Sequence, residues 1–227
     1  MPAPLSVIIP TLNAAGELPQ CLASLMPGAE AGLIREVLLS DGGSTDATAE
    51  IADAAGASMI ESEPGRGKQL AAGAEAARGE WLLFLHADTA LTRDWVERAR
   101  DHMENAAGKA AYFTLAFRSD HPMAKHVAAR ANRRAKLLGL PYGDQGLLLP
   151  RSLYEEVGGY QDLPLMEDVA LVRAIGKRRL HMLSAEARTS AAKYERDGWR
   201  KRSWKNAWLT TRYLLGASPE KLAAAYR

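Results

Sequence analysis

The sequence predicts an α/β fold, a mostly parallel central sheet with helices on both faces, on three observations. Short runs too apolar to have a wet face alternate with helical periodicities over the first 110 residues. Each run ends in polar, loop-forming residues: Pro10-Thr11-Leu12-Asn13, Asp41-Gly42-Gly43-Ser44 and His86-Ala87-Asp88. The 227 residues are 47% hydrophobic and 25% charged, enough ordinary chain for one substantial core, which excludes disorder, collagen and coiled coil.

Leu5-Ser-Val-Ile-Ile9 is β-branched and stopped by Pro10, so it reads as a buried strand. Leu18, Cys21, Leu22 and Leu25 recur at helical spacing, and Pro27-Gly28 closes that segment. Glu36 to Ser40 is a second strand, and Thr45 or Asp46 caps an Ala-rich helix reaching about Ala55. A weaker strand covers Ser58 to Glu61, a helix Gln69 to Arg78, and the most hydrophobic strand Trp81 to His86. A helix over Trp95 to Met103 follows, with Asp88 and Thr89 as candidate caps. Beyond it come a strand near Ala111 to Phe117, a basic helix from about His121 to Leu138, a short strand at Gly146 to Leu149, then helices. No Gly/Ser/Pro linker interrupts the chain, which favours one two-part domain over two domains.

Charge divides the chain. Residues 1–110 hold 8 Lys and Arg against 16 Asp and Glu, and residues 111–227 hold 21 against 11. An acidic half suits a divalent cation, and a basic half suits phosphates or an anionic surface; scattered solvated charge is the plain alternative. The single Cys21 cannot form an internal disulfide, and no Cys/His cluster has zinc-ligand spacing. With no apolar run near the roughly 18 residues a membrane span needs, and no basic-then-apolar start, a cytoplasmic protein is expected.

Familiar nucleotide signatures fail. Gly65-Arg-Gly-Lys-Gln69 lacks the dinucleotide spacing, and Lys68 is not followed by Ser or Thr. No Gly-x-Ser-x-Gly appears. What remains is a set of carboxylates at strand ends, Asp41 and Asp88, and the pair Glu167-Asp168. A charge closing so apolar a strand is costly unless a cation or a nucleotide group lies near Asp88. For Glu167-Asp168 the structural alternative is a helix N-terminus, where acids are favoured by the dipole.

Val7-Ile-Ile-Pro-Thr-Leu-Asn13, Ser40-Asp-Gly-Gly-Ser-Thr-Asp46, Phe84-Leu-His-Ala-Asp88 and Met166-Glu-Asp-Val169 resemble, in order and spacing, the family 2 glycosyltransferases over roughly residues 5–175. The resemblance implies a GT-A fold: a nucleotide-sugar-binding half of about residues 1–110 with a Rossmann-like sheet, an acceptor half of about 111–195, and a helical tail of about 196–227. It implies inversion at the anomeric carbon. It places Pro10, Thr11, Asn13 and Asp41 around base and ribose, with Asp41 accepting from the base. Asp168 matches the family's catalytic base, with Glu167 orienting the loop. Tyr142-Gly-Asp-Gln-Gly146 and Val157-Gly-Gly-Tyr160 fit the acceptor half, so Asp144 and Gln145 are acceptor or sugar candidates.

Three departures stand out. The Asp-x-Asp metal motif reads His86-Ala87-Asp88, so one carboxylate is missing, Gly42 stands where an Asp is frequent, and Leu70 where an Arg is. Asp88 with diphosphate oxygens and waters can still complete an octahedral Mg²⁺ or Mn²⁺ site, since Mg²⁺ keeps several waters. His86 either touches ribose or phosphate or caps the strand. Arg66 and Lys68 are candidates for the diphosphate, or a solvated turn.

In the tail, Trp204, Trp208, Thr211 and Leu215 share one helical face, with Arg200, Lys201, Lys205 and Arg212 elsewhere. Contact with the inner membrane surface or a lipid-linked acceptor is one reading, and packing of both Trp on the domain the other. The leading expectation is an inverting, metal-dependent transferase taking a nucleotide-diphosphate sugar to an acceptor nucleophile. A degenerate glycan- or membrane-binding relative and a sugar nucleotidyltransferase are the alternatives. The aromatics are too few to form stacking platforms, so no nucleic-acid partner is expected.

Overall fold

The computed structural model describes residues 3–106 and 108–226; Met1, Pro2, Ala107 and Arg227, which fall within the divisions above, lie outside the described residues. Eight strands form one sheet: β1 (Leu5–Thr11), β2 (Ile34–Asp41), β3 (Ser58–Glu61), β4 (Trp81–Phe84), β5 (Thr89–Leu91), β6 (Ala110–Arg118), β7 (Leu147–Pro150) and β8 (Leu180–Ser190). Their order is β3-β2-β1-β4-β7-β6-β8-β5. The first four are parallel, β7 runs against both β4 and β6, and β8 pairs parallel with β6 and antiparallel with β5. The α/β architecture with a mostly parallel sheet, flanking helices and a helical C-terminal tail is as the sequence predicts.

Both faces are covered, and the two-residue period of the strands decides what covers each. Leu5, Val7 and Ile9 of β1 face a core completed by α1 (Leu18–Glu30), α2 (Thr48–Ala54) and α4 (Trp95–Asn105). Ile8 faces the opposite core, with α3 (Arg66–Ala76), α6 (Arg151–Glu156), α7 (Glu167–Ile175), α9 (Trp199–Leu214) and α10 (Pro219–Tyr226). The long α5 (Pro122–Leu138) and short α8 (Ala192–Asp197) complete the helices.

Several local expectations are corrected. Residues 180–190 form β8, not helix, because the inward side chains of this alternating strand include Ala185 and Ala187, which carry almost no apolar signal. Asp88 does not cap α4: the three-residue β5 intervenes, and Asp94 holds the N-cap position. Neither Thr45 nor Asp46 is the α2 cap residue; Ala47 is, while Asp46 Oδ1 accepts the Thr48 N–H at 3.1 Å. Pro27 does not end α1, which runs three residues further. The tail docks through Trp199, Arg202, Leu209 and Thr210, whereas Trp204 is 71% and Trp208 47% exposed, so neither tryptophan packs into the domain.

Candidate active site

Parallel pairing of β1, β2 and β4 brings their carboxyl ends to one sheet edge, where ligands of open α/β sheets bind. After β1 and β2 the loops are knitted together. Asp41 Oδ1 accepts the hydroxyls of Thr11 and Ser44, and Oδ2 accepts the N–H groups of Gly43 and Ser44. Burial pushes the Asp41 carboxyl up, but bonds from Ser44, Thr11 and Gly43 outweigh it and hold it below the usual range. Asn13, at φ 51°, donates its N–H to Ser44 Oγ and accepts the Thr45 N–H on its side chain. Gln69 of α3 donates to the carbonyls of Thr11 and Ser40, fixing both strand ends. Asp41 therefore organises this loop pair with the buried Thr11, while Pro10 is half-buried and Asn13 exposed beside them.

A separate cavity of about 140 Å³ lies beside the end of β4. It gathers Arg66, His86, Asp88, Asp144, Glu167 and Asp168, six of the residues singled out from sequence. The chain between β4 and β5 carries His86 and Asp88, and Arg118 of β6 clamps it by donating to the Asp88 carbonyl at 2.9 Å and Glu17 at 2.6 Å. His86 packs against Gly143, in the 3₁₀ turn Gly143–Gln145, so closely that a Cβ there would lie 2.4 Å from its Nε2. Burial and the Arg66 charge lower the His86 pKa, leaving it neutral at physiological pH.

Asp168 stands in the first turn of α7, as its helix-start reading anticipates. Its Oδ2 accepts the Gly143 N–H at 2.8 Å and its Oδ1 accepts the Val169 N–H at 2.7 Å. Glu167 is 2% exposed and bridges to Arg66 at 3.2 Å. Burial, then the Asp168 charge, raises its pKa against the pull of Arg66. Asp144 is pushed up to about 6 by burial, with Asp168 and Asp88 acting the same way and Arg134 and Arg66 opposing. Its Oδ1 is buried without a hydrogen-bond partner.

Two candidates lie elsewhere. Lys68 pairs with Glu63 at 2.5 Å and Asp162 at 3.7 Å, outside the cavity lining. Gln145 is fully buried and donates to the Phe113 carbonyl at 3.2 Å, a packing role. Sequence reading misses Lys193, Arg202, Tyr142 and Thr189, which also line the cavity. Lys193 and Arg202 sit in a stretch dense in Lys and Arg, where no spacing marks a cation that turns inward.

Among the described residues no three His, Cys, Asp or Glu side chains form a metal cage. The donor chemistry still fits a hard cation that keeps most of its shell as water and phosphate oxygen, because Asp88 offers a carboxylate in a cavity that Asp144 and Asp168 also line.

Known proteins resemble this chain in sequence and in fold. Curated PGL/p-HBAD biosynthesis glycosyltransferases of Mycobacterium bovis and Mycobacterium tuberculosis are 40% identical over 99 residues, which span 40% of this chain and only 38% of each relative. Glucosyl-3-phosphoglycerate synthase from Mycobacterium tuberculosis, solved with Mn²⁺, uridine diphosphate and glucosyl-3-phosphoglycerate, superposes with a TM-score of 0.58 at 19% identity, covering 81% of this chain and 70% of that one. S. aureus TarS 1-349 superposes with a TM-score of 0.63 at 18% identity, covering 82% and 60%. At those identities the likeness is one of fold. The family model for Glycosyl transferase family 2 matches residues 6–158, and the chain belongs to that family.

Proposed function

We propose that the protein is an inverting, metal-dependent glycosyltransferase that moves a sugar from a nucleoside-diphosphate sugar to an acceptor hydroxyl, with Asp168 as base. The observation that carries this reading is the convergence of Asp88, Asp144, Asp168 and Arg66 on one cavity at the sheet edge where nucleotides bind. The nucleoside lies along the Asp41-braced loops, and the diphosphate reaches toward Asp88, Arg66 and Lys193. A bound Mg²⁺ or Mn²⁺ supplies positive charge to the diphosphate.

Asp168 accepts the acceptor's proton as its oxygen attacks the anomeric carbon from the face opposite the leaving group. The C–O bond to the diphosphate breaks, and the nucleoside diphosphate leaves with the electron pair. Arg66 and Lys193 offset the charge that develops there. The backbone N–H groups of Gly143 and Val169 orient the Asp168 carboxylate for that attack. His86, neutral and wedged on Gly143, holds the turn that carries Gly143 in register with α7.

The exposed Trp204 and Trp208, with Arg200, Lys201 and Arg212 on the same helix, support a peripheral location on an anionic membrane surface. No helix is long and apolar enough to cross a membrane among the described residues.

The test is release of nucleoside diphosphate from a panel of uridine-, guanosine- and thymidine-diphosphate sugars, with Mn²⁺ and with chelator. Metal-dependent release that Asp88→Ala abolishes supports the reading. Tight nucleotide binding without turnover on any donor and acceptor would favour a non-catalytic relative.

A further inference from the structure

A second cavity, of about 290 Å³, runs between α5 and α9 and abuts the first. Its walls are Val127, Ala131 and Leu138 from α5 and Ala207, Thr211 and Leu214 from α9. The two cavities share Tyr142, Asp144, Tyr194, Asn206 and Thr210, so the groove adjoins the cavity that holds Asp168. Two of its lining leucines are exposed, Leu138 of α5 at 61% and Leu214 of α9 at 40%. Exposed apolar clusters of this kind mark binding surfaces.

Polar chemistry inside the groove is sparse and unfinished. Asp144 Oδ1 and Ser203 Oγ, both from lining residues, are buried with no hydrogen-bond partner. A buried polar atom without a partner is costly, and a ligand hydroxyl can relieve that cost. Arg134, the cation nearest the junction, is already committed. Its guanidinium lies 3.3 Å over the Tyr142 ring, and it donates to the Leu140 carbonyl and Gln145 Oε1. Tyr142 is held from the other side by its hydroxyl bond to Thr210 of α9. The shared lining is thus braced; Arg130, exposed on α5, is the other cation of the lining among the described residues, and one guanidinium is not the cluster that a phosphorylated acceptor requires.

We infer that this groove seats the acceptor, and that the acceptor is an alcohol on an apolar body whose hydroxyl meets Asp144 at the junction of the two cavities. The inference rests on the transferase reading for the word acceptor, but the binding it describes stands alone. In the bound acceptor the alcohol's single O–H bonds Asp144; on transfer that O–H turns to Asp168, which takes the proton as the oxygen attacks. An apolar body left in the groove replaces water on the Leu and Val walls.

The probe is 4-(4-fluorophenyl)butan-1-ol, titrated at pH 8 and followed by fluorine NMR line broadening, beside its methyl ether. Saturable binding is expected, weakened about ten-fold or more by Thr211→Trp and by Ala207→Trp, which place an indole in the groove from exposed helix positions. The alcohol should bind about three- to ten-fold more tightly than the ether, as one hydrogen bond requires, and Asp144→Ala should erase that difference. Unchanged melting temperatures certify the two tryptophan variants as folded, and with either one folded the comparison is decisive. No saturable binding, binding indifferent to both tryptophans, or equal displacement by 3-phosphoglycerate would overturn the inference. Probe binding as expected without nucleotide-sugar turnover would remove the transferase reading and leave the groove; turnover with only polar acceptors would do the reverse.

Discussion

Gly143 donates its backbone N–H to Asp168 Oδ2 at 2.8 Å, joining the turn before β7 to the first turn of α7. With Val169 on Oδ1 at 2.7 Å, both oxygens of Asp168 are held by main chain. The carboxylate is therefore a helix-start group fixed on both oxygens, as the proposed base requires, and its geometry depends on a glycine that lies against His86.

Gly143→Ala should destabilise the protein by about 1–3 kcal/mol, since the new Cβ would meet His86 Nε2 at 2.4 Å and the turn must move. Removing the obstacle in Gly143→Ala/His86→Ala should recover part of the loss. Thermal melts of the two variants read this directly; a double variant no better than the single one would place the strain elsewhere.

Asp41→Ala should cost about 1.5–3 kcal/mol or more at pH 7, because Thr11, Ser44 and Gly43 lose a charged acceptor. The folded pKa lies below the unfolded value of about 3.9, so this stabilisation is fully present above about pH 4 and is lost as pH falls through the folded pKa. Denaturant midpoints of wild type and variant from pH 7 to pH 3 should converge at the acid end.

Asp144 carries the opposite sign. Its folded pKa is about 6, so the protonated form favours the fold, and stability falls as pH rises from the unfolded value of about 3.9 through about 6. Asp144→Asn should therefore gain melting temperature relative to wild type between pH 4 and pH 7.5. A flat difference would mean that Arg134 and Arg66 already neutralise the charge.

Trp204→Ala/Trp208→Ala should leave the melting temperature nearly unchanged, since both side chains are exposed, while reducing co-sedimentation with anionic liposomes. Loss of soluble protein would show that these side chains stabilise the fold.

Legibility follows the strength of local signals. β1 is buried and apolar but for Ser6 and Thr11, and β4 is apolar throughout, so the amino-acid pattern alone locates the Thr11–Asn13 loop and Asp88 beyond them. Asp168 is visible through its motif. The alanine-lined β8 is not, and neither is the second cavity, because it forms between helix segments about 80 residues apart in sequence, Val127 to Ala131 and Ala207 to Thr211, whose own patterns mark only which faces are apolar. Asp144 is legible as a candidate, but its unpartnered oxygen arises only from tertiary burial.

The central claim is that Asp168 takes the acceptor's proton. Asp168→Asn removes the base and, since an amide offers one acceptor oxygen, also gives up one of the bonds from Gly143 and Val169, a stability cost of about 1 kcal/mol. The deciding measurement is turnover of this variant on any accepted donor and acceptor, beside its dissociation constant for the nucleoside diphosphate. The account predicts unchanged nucleotide affinity with kcat reduced about 10²- to 10⁴-fold. Near-normal turnover would remove Asp168 from the chemistry and contradict the mechanism.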